Sequence, residues 1–109
     1  MTRLSTHVLD QRNGKPAAGV LVTLTRVGDP EPIARLRTNA DGRLDAPLLE
    51  EGEGGTYQLE FEVKDYFEAS GVPSPFLDRV PVQVTLAATE SYHVPLLITP
   101  WSYSVYRGS

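Results

Sequence analysis

The sequence predicts an all-β sandwich of about eight short strands with one short helix, and three observations carry that reading. Apolar residues recur with period two, turn formers interrupt the pattern at short intervals, and one segment alone suits a helix. The 109 residues fit a single domain, residues 1–109, because one core typically occupies roughly 100 to 150 residues.

The first strand is expected over residues 4–9. After the turn Asn13-Gly14-Lys15-Pro16, residues 20–25 alternate Val20, Val22 and Leu24 with Leu21, Thr23 and Thr25. Strands at 33–38 and 43–46 are separated by Ala40-Asp41-Gly42. The glycine-rich run 50–55 reads as a flexible hairpin. In residues 56–64 the alternation is cleanest, with Tyr57, Leu59, Phe61 and Val63 against Gln58, Glu60, Glu62 and Lys64, the mark of a half-buried strand. Residues 64–70 could form about two helical turns, with Gly71 able to cap them and Pro73 unable to continue them. Val80, Val82, Val84 and Leu86 alternate with Arg79, Pro81, Gln83 and Thr85. Strands at 92–98 and 102–106 complete the set, and eight at this spacing read as a sandwich.

Composition excludes several function classes. A net charge of -4 and a pI near 5.0, without a basic stripe, argue against a nucleic-acid partner, which would need clustered Lys and Arg. The absence of cysteine removes disulfides, thiolate ligands and a thiol nucleophile. Neither a Gly-x-Ser-x-Gly elbow nor a glycine-rich phosphate loop is present. The start lacks the apolar stretch of a secretory signal and nothing approaches a membrane span, so a cytoplasmic protein with no membrane partner is expected.

The chain has two histidines, and strand parity locates both. With Leu4 and Val8 facing the core, His7 shares the outer face with Ser5 and Leu9; with Tyr92, Val94, Leu96 and Ile98 inward, His93 lies outward with Pro95 and Leu97. A face carrying Leu9 and Leu97 is apolar for a solvated sheet and would be covered by a second copy in a symmetric oligomer. A strand histidine taken alone is more often a surface or packing residue than a catalyst.

Four segments alter that balance. They are Leu4-Ser5-Thr6-His7-Val8-Leu9-Asp10, Thr38-Asn39-Ala40-Asp41-Gly42-Arg43, Ser91-Tyr92-His93-Val94-Pro95-Leu96-Leu97 and the closing Tyr106-Arg107-Gly108-Ser109. Through them the sequence resembles the 5-hydroxyisourate hydrolases, the transthyretin-like enzymes of urate breakdown, from about residue 4 to residue 109. The resemblance implies a transthyretin-like (prealbumin-like) sandwich and a homotetramer built as a dimer of dimers. It also implies hydrolysis of 5-hydroxyisourate to 2-oxo-4-hydroxy-4-carboxy-5-ureidoimidazoline. His7, Arg43 and His93 would form the catalytic set, and His7, Arg43, Tyr106 and Ser109 would contact substrate.

Amide hydrolysis needs a base for water and donors for the developing oxyanion. Neutral imidazole suits the first role, and the sequence allows either histidine to fill it. Arg43 offers a planar, permanently charged fork suited to an oxygen-rich heterocycle. Two histidines on distant strands, without a His-x-x-x-His pair or a matched carboxylate, make a catalytic metal a weak fit, so metal-free chemistry without a cofactor is expected. A transthyretin-like carrier is the main alternative, and a generic immunoglobulin-like interaction module would leave the closing segment unexplained.

Overall fold

The computed structural model describes residues 1–108. Its strands are β1 (Thr2–Asp10), β2 (Lys15–Pro16), β3 (Leu21–Arg26), β4 (Pro32–Arg37), β5 (Leu49–Gly52), β6 (Gly55–Glu62), β7 (Arg79–Leu86), β8 (Ser91–Ile98) and β9 (Tyr103–Val105), with helix α1 (Val63–Ala69) between β6 and β7. They form two sheets, ordered β2-β1-β8-β9, with β5 also on β1, and β4-β3-β6-β7. Leu4, Val8, Leu96 and Ile98 from the first sheet meet Val22, Leu24, Leu59 and Phe61 from the second, all fully buried, so the period-two pattern is the inner faces of a sandwich.

Three local expectations are corrected. Residues 43–46 do not form a strand, because Arg43 makes only an isolated bridge to His7 before the chain turns away. The run 50–55 is not a hairpin: β5 pairs with β1 while β6 pairs with β3 and β7, so the segment crosses from one sheet to the other. The last strand-like residue of the alternation, Val63, instead begins the helix. Val63, Tyr66 and Phe67 lie three and four residues apart and bury one helical face. The short β2 and β5 were not anticipated.

Every pairing is antiparallel except β1 with β8, which are parallel neighbours at the centre of their sheet. The Thr6 hydroxyl donates to the Val94 carbonyl at 2.6 Å beneath this seam. At its far end the buried Asp10 carboxylate accepts from the Tyr66 hydroxyl at 2.7 Å and from the Asn13 backbone at 2.9 Å, tying the helix and the β1–β2 turn to the same strand. Among the described residues no helix is long and apolar enough to cross a membrane.

Candidate active site

The β1–β8 register sets Ser5 beside His93 and His7 beside Pro95. Both histidines project from the outer face, as parity predicted, and both are half-buried there with Leu9 and Leu97. Their ring centroids lie 6.3 Å apart with the planes tilted by 31°.

Arg43 reaches them through a turn docked on β1. The Asn39 side-chain oxygen accepts from the backbone N–H groups of Asp41 at 2.9 Å and Arg43 at 3.2 Å, and the Asn39 N–H donates to the Arg43 carbonyl at 2.7 Å. This is the local side-chain turn for which asparagine is suited. Gly42 adopts φ +74°, and a Cβ there would collide with the Val8 carbonyl oxygen, so only glycine lets the turn lie flat against the strand. The Val8 N–H then donates to the Gly42 carbonyl at 2.8 Å. Arg43 consequently bridges to His7, and its exposed guanidinium has no ion-pair partner among the described residues.

Hydrogen bonds distinguish the two imidazoles. His7 Nε2 lies 3.1 Å from the Asp41 carbonyl oxygen, which can only accept, so His7 carries its proton on Nε2. His93 Nδ1 lies 2.9 Å from the Ser5 hydroxyl, and its Nε2 has no hydrogen-bond partner among the described residues. Desolvation by burial, then the Arg43 guanidinium, holds the pKa of each below the ordinary 6.5; His7 lowers His93 further, whereas the Asp41 carbonyl and carboxylate act the other way on His7. Both rings are therefore neutral near pH 7. Arg3, Ser5, Arg43, Asp45 and His93 line an open depression, and a second one adjoins it between Arg3, Ser91, His93 and Gly108.

The closing segment divides. Arg107 stacks over the Tyr92 ring at 4.3 Å and pairs with Glu90 at 3.1 Å, which pins it to the start of β8. The Gly108 N–H donates to the His93 carbonyl at 2.7 Å, and a Cβ on Gly108 would sit 2.8 Å from His93 Cδ2. Tyr106 is exposed and borders a lateral groove with Val84, Val105 and Arg107, outside both depressions lined by His93. Ser109 lies outside the described residues. Thus His7, Arg43 and His93 come together within this chain, and Tyr106 does not join them. Among the described residues no group of three or more His, Asp or Glu side chains could hold a metal ion.

Residues 4–108 match the HIUase/Transthyretin family. The chain belongs to this family. It is 55% identical to 5-hydroxyisourate hydrolase of Deinococcus radiodurans, over 97% of this chain and 95% of that protein. The structure of Klebsiella pneumoniae 5-hydroxyisourate hydrolase superposes with a TM-score of 0.88 at 40% identity, covering all of both chains. Transthyretin from Sparus aurata superposes with a TM-score of 0.86 at 28% identity, covering 97% of this chain and 96% of that one. This family member shares its fold with hydrolase and transthyretin alike, and its sequence stands nearer these hydrolases than this transthyretin.

Two contributors to the site escaped the sequence reading. Ser5 sits within a recognised segment, yet its contact with His93 depends on a parallel register that sequence does not display. The tight approach of Gly108 is likewise a property of the folded backbone. Asn39 was the more legible, as an asparagine two residues before Asp41-Gly42 is a turn signal.

Proposed function

We propose that this chain opens the six-membered ring of 5-hydroxyisourate by adding water to its ring amide, with His93 as the base. The chain is a transthyretin-like hydrolase of purine catabolism, acting on the compound that names its relatives. What carries the assignment of the base is the difference between the two imidazoles. His7 spends Nε2 on the Asp41 carbonyl, whereas His93 is hydrogen-bonded at Nδ1 and keeps Nε2 for chemistry.

Neutral His93 takes a proton from water at Nε2 as the water oxygen attacks the ring carbonyl. The Arg43 guanidinium, beside both rings, stabilises the oxyanion of the tetrahedral intermediate. His93 then returns the proton to the departing ring nitrogen, the C–N bond breaks, and the new carboxylic acid ionises to solvent. His7, protonated at Nε2, offers the Nδ1 lone pair to a substrate N–H. Metal-free catalysis fits the donor set, since the Arg43 guanidinium beside two neutral imidazoles would repel a divalent cation and, among the described residues, no carboxylate joins them.

The protein acts in the cytoplasm as a homotetramer, a dimer of dimers whose contacts cover the outer face. Tyr106 and Ser109 complete substrate binding in that assembly. Support comes from the half-buried Leu9 and Leu97 around the histidines and from Gly108 lying against His93.

Generating 5-hydroxyisourate from urate in situ and following its ultraviolet decay tests the proposal. Addition of the chain accelerates the decay, with or without chelator, and His93→Asn slows turnover by about a hundredfold or more. A fully active His93→Asn protein contradicts the base assignment, and loss with chelator that zinc restores contradicts the metal-free route.

A further inference from the structure

We infer that Ser5 is a positioning residue for His93, its hydroxyl fixing the orientation and tautomer of the imidazole so that Nε2 presents a lone pair to the open depression. The inference rests on the reading of His93 as the base. The parallel register places the two side chains adjacent on one face, and Oγ to Nδ1 is 2.9 Å, a full-strength hydrogen-bond distance. The strand beneath is anchored in the core. Leu4 and Thr6, on either side of Ser5, are buried, and Thr6 is bonded across the seam to Val94.

The other edge of the ring is confined as well. Gly108 passes so near Cδ2 that even a methyl group there would not fit. Ser5 on the Nδ1 edge and Gly108 on the Cδ2 edge hold the ring between them. Rotation about Cβ–Cγ would exchange Nε2 with Cε1 and carry the lone pair away from the water. The Ser5 contact opposes that flip.

A hydroxyl suits this task better than the carboxylate often found behind a catalytic histidine. It can accept from Nδ1–H while its own proton points to the Tyr92 carbonyl, a longer contact of 3.5 Å. When Nε2 gains a proton, Nδ1 still carries a hydrogen and Ser5 still accepts it, so no donor is stranded during turnover. A carboxylate would add charge and raise the imidazole pKa. The serine orients the ring and leaves intact the lowering that burial and Arg43 impose.

Ser5→Ala and Ser5→Thr, each made in the native chain and in His93→Asn, provide the test. Ser5→Ala lowers kcat by about tenfold, the factor for one hydrogen bond, with KM moved less than about twofold, and Ser5→Thr restores most of the loss. In the His93→Asn background Ser5→Ala costs nothing further, because its effect passes through the ring. Nitrogen-15 spectra of labelled histidine show the Nδ1–H tautomer of His93 in the native protein and a mixture in Ser5→Ala. Native kcat in Ser5→Ala, an undiminished loss in the double variant, or an Nε2–H tautomer in the native protein each overturns the inference. If His93→Asn alone keeps full activity, the base assignment fails instead, and the spectra still decide whether Ser5 holds the ring.

Discussion

Replacing Gly108 by alanine should cost activity out of proportion to stability. The added Cβ would stand 2.8 Å from His93 Cδ2, 3.3 Å from Pro95 Cγ and 3.4 Å from the His93 carbonyl oxygen. Non-bonded carbons settle at roughly 3.5–4.0 Å, so relief of the first contact requires a shift of about 1 Å. Pro95 is buried and β8 lies between two other strands, which leaves the imidazole or the segment carrying Gly108 to yield, and either movement ends the bracing of the ring. A displacement of about 1 Å in a catalytic group costs up to roughly a hundredfold in rate. The backbone bond from Gly108 to His93 is a single hydrogen bond at 2.7 Å, and its complete loss would cost only about 1 kcal/mol. The assay is decay of enzymatically generated 5-hydroxyisourate, read beside the melting temperature of the same preparation. Native kcat/KM in Gly108→Ala would refute the claim that this backbone braces the ring. A melting temperature that collapsed with the activity would show that the strain falls on the fold.

Because desolvation and then Arg43 lower the pKa of both histidines, activity should rise along an acidic limb centred below pH 6.5 and be level near pH 7. Arg43→Gln removes the cation that disfavours protonation, so it should move that limb to higher pH as well as lowering kcat; an unmoved limb in the pH–rate profile would contradict the coupling. Between the folded-state pKa values and 6.5 the unfolded chain binds more protons than the folded one. The contribution of these rings to stability should therefore be complete above about pH 6.5 and be lost as the pH falls through the folded values. Thermal melts of the native protein against His7→Asn/His93→Asn should diverge over that window, and parallel curves would speak against it. Gly42→Ala, which forces a left-handed φ of +74° on a residue with a Cβ and drives it into the Val8 carbonyl, should destabilise by about 1–3 kcal/mol in chemical denaturation. Sedimentation at micromolar concentration should give a tetramer, and a monomer would leave the face around Leu9 and Leu97 unexplained.

Much of the architecture was legible because burial on a strand is a binary choice. Tyr57, Leu59 and Phe61 alternate so cleanly that their strand, and the parity placing His7 and His93 outward, follow from the sequence. The limits arose where local pattern gives way to partners far along the chain. Val63 continues the alternation of β6, yet the demand to bury Tyr66 and Phe67 together turns it into the first helical residue. Leu49–Gly52 carries two glutamates and a glycine, so its pairing with β1 has no local signature. Arg43 was expected at the site from the segment around it, but nothing local showed that Asn39 and Gly42 would hold it by docking on β1 instead of extending into a strand.

The parallel seam between β1 and β8 also bears on how the molecule is made. Ser5 and His93 are 88 positions apart, whereas β3, β4, β6 and β7 pair through connections confined to the middle of the chain. Long-range pairing pays its loop-closure entropy before it gains contacts, so the second sheet should organise first and the first sheet close late. In a pulsed hydrogen-exchange experiment, protection at Leu24 and Leu59 should precede protection at Thr6 and Val94; simultaneous protection would argue against that order. A chain emerging from the ribosome presents His7 before any of the strands from β2 to β7, yet the imidazole that completes the pair arrives only after all of them have been made. On the proposed reading of His93 as the base, a nascent polypeptide acquires catalytic competence only once β8 has been made and paired, and a product lacking β8 should be inert.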